Sequence, residues 1–218
     1  MRHVFKYLPV LAVILPSVAQ AHPHVWVEMR TDVVFNATGL ISGINVEWAF
    51  DDAYATEALT GMDTNGDGQY SQDELEPLTR ENISSLKDYN YFTAMRDETS
   101  ALEAAPPINA GQTYTNNILK LHFTVPLKTP YDPHKGDFLV KIYDPEFFIA
   151  FDYAKEQPVD TGGNIPQGCK LIVKPIPTDA ETTQTLAMLS TKDKSWKPEN
   201  GEDFGSIFAQ PVLISCKS

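Results

Sequence analysis

Hydrophobic and polar residues alternate along two neighbouring segments near the start of the chain. In residues 24–35 every second side chain except Thr31 is apolar, and the positions between them are mainly charged or polar. The apolar set is Val25, Val27, Met29, Val33 and Phe35. Residues 40–50 repeat this period of two after the turn-forming sequence "NATG". The pattern predicts an antiparallel hairpin with one face toward a core.

Residues 51–90 have a different pattern. "DDAYATEALTGM" has helical composition, and the segment after the loop places Leu75, Leu78, Leu86 and Tyr89 on one helical stripe. Ser71 and Glu74 have the spacing of a capping box, which predicts the start of the second helix. Pro77 removes a backbone donor inside this segment, so a kink or restart is expected there.

The strand pattern returns from Tyr91. "YFTAMRD", "SALEA", "NNILKLHFTVPL", "FLVKIYDPEFFIAFDY" and "CKLIVKP" are strand candidates between turn-forming residues, and 179–190 has helical composition. The fold is therefore predicted to be mainly β. We expect an antiparallel β-sandwich formed by 22–50 and 91–218, with a helix-loop-helix insertion at 51–90, hence α+β overall.

The first 21 residues have the pattern of a cleaved export signal. A basic start precedes the apolar run "LPVLAVILPSVA", and "AQA" at 19–21 has the small-x-small form of a cleavage site. This run is too short to span a bilayer as a helix, and no other apolar run is longer. The mature chain is expected outside the cytoplasm, with His22 as its first residue and without direct membrane insertion.

Charge and cysteine content fit this location. The formal net charge of −12 becomes −14 when Arg2 and Lys6 leave with the signal, which disfavours binding to nucleic acid and anionic lipid. The two cysteines, Cys169 and Cys216, are expected to form a disulfide in an oxidising compartment. The alternative is a pair of buried thiols. Because neither lies in a Cys-x-x-Cys pair, redox catalysis is not indicated.

The loop "DTNGDGQYSQDE" matches a calcium-binding EF-hand loop. Alternate positions of such a loop turn oxygen atoms toward a hard cation, and a glycine at position six allows the sharp turn. The predicted calcium ligands are Asp63, Asn65, Asp67, Gln69, Ser71 and Glu74. The alternative is a polar surface turn. Sensor proteins pair two such loops and this chain has one, so a structural calcium ion is expected.

His22 and His24 form a second candidate metal site. Residues two apart on a strand point to the same side, and cleavage after Ala21 would add the free amine of His22 to its imidazole. The amine and the two imidazoles together supply three nitrogen ligands, which suit zinc, nickel or copper. Pro23 has no N–H, so a square-planar chelate through backbone amides cannot form in full. Glu28 lies further along the same face and is a possible oxygen ligand. The alternative is a frayed terminus without a metal.

Two further histidines, His122 and His134, have no ligand spacing of their own. His122 lies on the polar face of a predicted strand and His134 lies in a turn. Both are expected to be ordinary solvated side chains.

Several blocks together resemble one family of bacterial periplasmic proteins. They are "AHPHVWVE", "EWAFDDAYA", "ENISSLKDYNYF", "KIYDPEFFIAF" and the two cysteines. The family is described as the periplasmic component of a metal transport system, with genes beside nickel/cobalt-type permeases and some members linked to zinc. The resemblance implies a periplasmic accessory protein that binds a transition metal and works with an inner-membrane metal permease. The resemblance carries over to the following positions of this chain: His22, His24, Asp63, Asn65, Asp67, Gln69 and Glu74.

Three functions follow as expectations. The first is a metal-binding accessory protein without enzymatic activity, which holds a zinc-, nickel- or cobalt-type ion at His22 and His24 and calcium in the loop. The second is a copper-dependent oxidoreductase that uses the N-terminal histidine chelate with another histidine, His122 or His134. The third is an interaction module whose docking surface is stiffened by calcium. The sequence has no Gly-x-Ser-x-Gly elbow, no P-loop and no His-Glu-x-x-His motif.

Overall fold

The computed structural model describes residues 22–193, 195–199 and 201–217, so the predicted signal peptide lies outside the described residues. The strands are β1 (Val25–Phe35), β2 (Ile41–Phe50), β3 (Thr93–Arg96), β4 (Ile108–Thr115), β5 (Ile118–Tyr131), β6 (Phe138–Ile142), β7 (Ile149–Tyr153), β8 (Val159–Asp160), β9 (Lys170–Val173) and β10 (Val212–Ser215). The helices are α1 (Asp52–Ala58), α2 (Gln72–Leu86), a 3₁₀ helix (Lys87–Phe92), α3 (Ala180–Leu189) and α4 (Gly205–Phe208).

The strands form two sheets, which confirms a mainly β protein. The larger sheet has the order β4-β5-β2-β1-β7, with β8 also paired to β1, and the smaller has the order β3-β6-β10-β9. The predicted hairpin is β1 with β2, which pair antiparallel. The expectation of a wholly antiparallel arrangement is wrong at one edge, because β7 and β8 both run parallel to β1.

One hydrophobic core joins the two sheets. Val27 and Met29 of β1 and Trp48 of β2 are 2%, 0% and 2% exposed, and Phe138 and Val140 of the second sheet are fully buried in the same cluster. Burial of each such side chain contributes about 1.5–3 kcal/mol. The predicted alternation therefore sets which face of β1 and β2 is covered, and leaves the other face to charged residues.

The helical insertion shares this core. Leu75 is 1% exposed and belongs to the same cluster. The Gln72 amide donates to the Gln112 carbonyl at 2.6 Å, and the Thr79 hydroxyl lies 3.2 Å from the Gln112 side-chain oxygen, so α2 is held against β4. The predicted capping box between Ser71 and Glu74 is present at the start of α2.

Two details of this insertion differ from the sequence prediction. The helix runs from Gln72 to Leu86 through Pro77 without a restart, because a proline this close to the start leaves only the Asp73 carbonyl without its helical donor. Tyr89 is not on the buried stripe: it lies in the 3₁₀ helix and is 38% exposed. The helical dihedrals end there, because Asn90 and Tyr91 have positive φ.

Two later segments that were predicted as strands form different elements in the structure. The predicted strand "FLVKIYDPEFFIAFDY" is split into β6 and β7 by a turn around Asp144, whose carboxylate accepts backbone N–H groups of Glu146, Phe148 and Ile149 at 2.9–3.0 Å. "SALEA" contributes two isolated bridges, at Ala101 and Ala104. Among the described residues no helix is both long and apolar enough to cross a bilayer.

Candidate functional site

The EF-hand-like loop connects α1 to α2 and is closed by its own carboxylates. Asp63 accepts the backbone N–H groups of Gly66 and Gly68 at 2.8 and 3.0 Å, and Asp67 accepts that of Gln69 at 2.7 Å. Gly68, with φ of 76°, lies at the sharp turn that the motif assigns to a glycine. Asn65 and Asp67 are exposed and Asp63 is half-buried, so a cation has access to the loop from solvent.

Glu74 closes the loop from the other side. Its carboxylate accepts the backbone N–H and the hydroxyl of Ser71 at 2.9 and 2.8 Å, and those of Thr64 at 2.9 and 3.0 Å. The bonds from Ser71 are the main reason that the pKa of Glu74 is lowered to about 2, and those from Thr64 add to the shift. Glu74 is therefore an anion at neutral pH.

The donor set of this loop fits calcium. Three carboxylates, an amide and a hydroxyl supply the oxygen ligands that a hard divalent cation prefers. The carboxylate oxygens of Asp63, Asp67 and Glu74 do not all lie within 4.8 Å of one another, because Glu74 is turned into the Ser71 and Thr64 hydrogen bonds. Calcium binding would therefore draw Glu74 toward Asp63 and Asp67.

His22 and His24 are brought together just before β1. Their ring centroids are 4.8 Å apart in an edge-to-face arrangement, and His22 is only 3% exposed. Phe148 packs at 5.8 Å from His22 and 5.1 Å from His24, and Trp196 packs at 5.4 Å from His22. The two imidazoles are therefore neighbours in an aromatic setting rather than on a frayed end, with His22 buried and His24 half-buried.

The two nitrogens of the His22 ring have different surroundings. Nε2 lies 3.4 Å from the Trp196 carbonyl oxygen, which fits a donor proton on Nε2. Nδ1 is buried and has no hydrogen-bond partner within the part of the chain that the structure describes. A buried polar atom without a partner is costly, and a metal ion is one way to satisfy it. This tautomer leaves the Nδ1 lone pair available.

Residues distant in sequence hold the histidine pair in place. The backbone N–H of His24 donates to the Phe148 carbonyl at 2.8 Å, and the Asp144 carboxylate fixes the turn that carries Phe148. Burial raises the pKa of Asp144, and the hydrogen bonds that its carboxylate accepts from backbone N–H groups lower this pKa by a smaller amount. Trp196, which comes after α3 in the chain, also packs on the pair. Its backbone N–H donates to the Asp193 carbonyl at 3.1 Å. Sequence reasoning missed these positions, which carry no motif.

Asp193 is an exposed carboxylate that would interact favourably with a positive charge at His22. Hydrogen bonds from Ser195, at 2.7 Å from the hydroxyl and 2.8 Å from the backbone, chiefly lower the pKa of Asp193, and the charge of His22 lowers it further. The negative charge of Asp193 favours a cation at His22, although solvent screens the interaction because Asp193 is exposed.

The other predicted ligands lie elsewhere. Glu28 is on the exposed face of β1, 3.9 Å from Arg30, and the structure does not place its carboxylate together with both histidines within 4.8 Å. His122 packs its ring over Gly111, where an added Cβ would lie 2.8 Å from the ring. His134 lies beside the disulfide. The described residues therefore do not place a third histidine with His22 and His24, as the copper hypothesis requires.

The predicted disulfide between Cys169 and Cys216 is present. It joins the start of β9 to the end of β10, where Lys170 and Ser215 are paired neighbours. Disulfides persist in oxidising compartments, so this bond is typical of an exported protein.

Two curated proteins are similar to this chain. An "Uncharacterized protein" of Haemophilus influenzae is 27% identical over 201 residues, which cover 90% of this chain and 92% of that protein. The "Uncharacterized 15.5 kDa protein in trpE 3'region" of Spirochaeta aurantia is 33% identical over 97 residues, which cover 44% of this chain and 69% of that protein. A family model matches residues 7–216, and the chain therefore belongs to the family described as "Protein of unknown function (DUF1007)".

Proposed function

We propose that this protein is a periplasmic accessory protein that binds a zinc-, nickel- or cobalt-type ion for an inner-membrane metal permease. The observation that carries the proposal is the buried His22 ring, which lies beside His24 with its Nδ1 lacking a partner among the described residues. Nitrogen ligands of this kind suit divalent transition metals. The predicted export signal and the disulfide support the location.

The first residue of the mature chain would supply two ligands of the site. Cleavage after Ala21 gives His22 a free amine, and amine and Nδ1 of one histidine close a six-membered ring with a metal. The Trp196 carbonyl, 3.4 Å from Nε2, would then orient the ring, as backbone carbonyls do for metal-binding histidines when they accept the other ring N–H. His24 is the next nitrogen donor, and Asp193 balances the charge.

Calcium has a separate, structural role in this proposal. The loop lies at the start of α2, and α2 is bound to β4 through Gln72 and Thr79. A calcium ion across Asp63, Asp67 and Glu74 would fix the insertion against the sheet without contacting the histidines. The ion then adds stability rather than a second transition-metal site.

The test compares two chains that differ only at the N-terminus. One begins at His22 and the other carries one alanine before His22, which moves the amine away from the imidazole. Zinc and nickel binding are measured by calorimetry with calcium in excess, so that the EF-hand loop is already filled. We expect the extended chain to bind at least about tenfold more weakly, because loss of an outer-shell group alone costs about 10–100-fold.

Two variants complete this experiment. His22→Ala should remove the high-affinity event, and His122→Ala should leave it unchanged because His122 lies over Gly111 rather than at the site. Equal affinities of the native and the extended chains, together with unchanged binding by His22→Ala, would refute the proposal.

A further inference from the structure

A second group of soft metal ligands lies beside the disulfide. The ligand atoms of His134, Cys169 and Cys216 all lie within 4.8 Å of one another, and in the described residues this is the one group of three histidine, cysteine or carboxylate side chains to do so. His134 is exposed and both cysteines are half-buried, so the group is open to solvent on one side. It is separate from the histidine pair at the N-terminus.

Strand register explains why the three residues meet. β9 and β10 pair antiparallel up to Lys170 and Ser215, so the next residues, Cys169 and Cys216, face each other. β10 also pairs with β6 through Ile214 and Phe138, which brings the loop before β6 to the same end of the sheet. That loop carries His134.

Further contacts hold this end of the sheet together. The Ser215 hydroxyl donates to Asp137 at 2.6 Å, and the backbone N–H of His134 donates to Asp132 at 3.0 Å. The backbone N–H of Asp137 donates to Glu98 at 3.0 Å. The β5–β6 loop is therefore fixed beside the cysteines by bonds that do not depend on the disulfide.

Two thiolates and an imidazole form a familiar zinc donor set. With Zn–S of about 2.3 Å and Zn–N of about 2.0–2.1 Å, a tetrahedral site separates two sulfurs by about 3.8 Å and a sulfur from a nitrogen by about 3.5 Å. The His134 nitrogen already lies within 4.8 Å of both sulfurs, so it can reach such a site. Once the S–S bond is broken, the two sulfurs can move apart to these separations, and a water molecule can take the fourth position.

We propose that His134, Cys169 and Cys216 form a redox-gated site for a zinc-type ion, closed while the disulfide is intact. An external dithiol reduces the S–S bond by two electrons, leaves as its own disulfide and transfers two hydrogens, so that both cysteines become thiols. Binding of one Zn²⁺ then releases the two thiol protons. In the reverse direction an external disulfide accepts the two electrons and, with two protons, becomes a dithiol, while the S–S bond of the chain re-forms and the Zn²⁺ ion is released.

Cobalt is the probe for this site, because thiolate ligation gives it a charge-transfer absorption that nitrogen and oxygen ligands do not give. The full mature chain carries His22→Ala and His24→Ala to remove the N-terminal pair, and calcium is in excess. After reduction with a phosphine we expect one cobalt per chain with thiolate absorption. The oxidised chain should show none, and zinc should displace the cobalt.

His134→Ala in this background should weaken cobalt binding at least about tenfold, in keeping with the 10–100-fold cost of a lost outer-shell partner. His122→Ala is the matched control and should leave binding unchanged. Zinc should also slow re-formation of the disulfide in the chain with His134 and have a smaller effect without it.

Cobalt affinity that is the same with and without His134 would overturn the proposal. This also holds if the reduced chain has lost its near-ultraviolet circular dichroism, which reports the folded state. Absence of the thiolate absorption would also overturn it. Because the N-terminal pair is absent from these chains, neither result bears on the proposed function.

Discussion

Calcium should raise the thermal stability of this protein only while Glu74 is intact. The loop carboxylates lie at the start of α2, whose Leu75 is buried in the core shared by both sheets, so an ion bound to the folded loop stabilises the whole chain. Extracellular calcium modules have Kd values of about 10⁻⁴–10⁻³ M. At about 10 mM calcium the ratio of ligand to Kd is then about 10–100, which stabilises the fold by about 1.4–2.7 kcal/mol.

This free energy converts to a measurable shift. A chain of this length changes its Tm by about 2–4 °C per kcal/mol, so calcium should raise the Tm by about 3–11 °C relative to a chelator. Differential scanning calorimetry with and without calcium measures the shift directly. Magnesium at the same concentration should give a smaller one, because it prefers six ligands in strict octahedral geometry.

Two variants on α2 distinguish calcium binding by the loop from a general effect of ionic strength on the Tm. Glu74→Gln removes a charged ligand and should abolish the calcium-dependent shift, although it also lowers the starting Tm by weakening the bonds to Ser71 and Thr64. Glu81→Gln removes an exposed carboxylate from the same helix and should keep the full shift. A shift of equal size in Glu74→Gln, or no shift in the native chain, would refute calcium binding by the loop.

Two further predictions concern stability. The double variant Cys169→Ser/Cys216→Ser opens a loop with a sequence separation of 47 residues and should lower the free energy of unfolding by about 4 kcal/mol. Urea unfolding measures this change, and a loss below about 1 kcal/mol would contradict the chain-entropy argument. Gly205→Ala should destabilise the fold by about 1–3 kcal/mol, because its new Cβ would lie 1.8 Å from the backbone oxygen of Asp144. An unchanged urea midpoint would show that α4 can move away freely.

Local patterns in the sequence predicted the parts of the fold that depend on neighbouring residues. The alternation in β1 and β2 gave the buried faces, because side chains alternate across any strand. The spacing of Ser71 and Glu74 gave the start of α2 in the same way. Compartment chemistry, rather than spacing, predicted the bond between Cys169 and Cys216.

Features set by distant residues were not predictable in this way. β4 has three exposed residues at its start and no regular alternation, so "INAGQTYT" carries no strand signal. The parallel pairing of β7 with β1 depends on the turn at Asp144. The aromatic surroundings of His22 combine Phe148 with Trp196, 174 residues away in the chain. The sequence therefore predicted the histidine pair but not the groups that enclose it.

The position of β10 has a consequence for folding. This strand lies between β6 and β9 in the smaller sheet, yet it follows both of them in chain order. A chain that emerges from its N-terminus, during synthesis or across a membrane, presents β6 and β9 before β10, and their unpaired edges can associate with other chains. We expect the smaller sheet to form only once residues 212–215 have emerged, so a folding helper that shields strand edges would act on this protein until then.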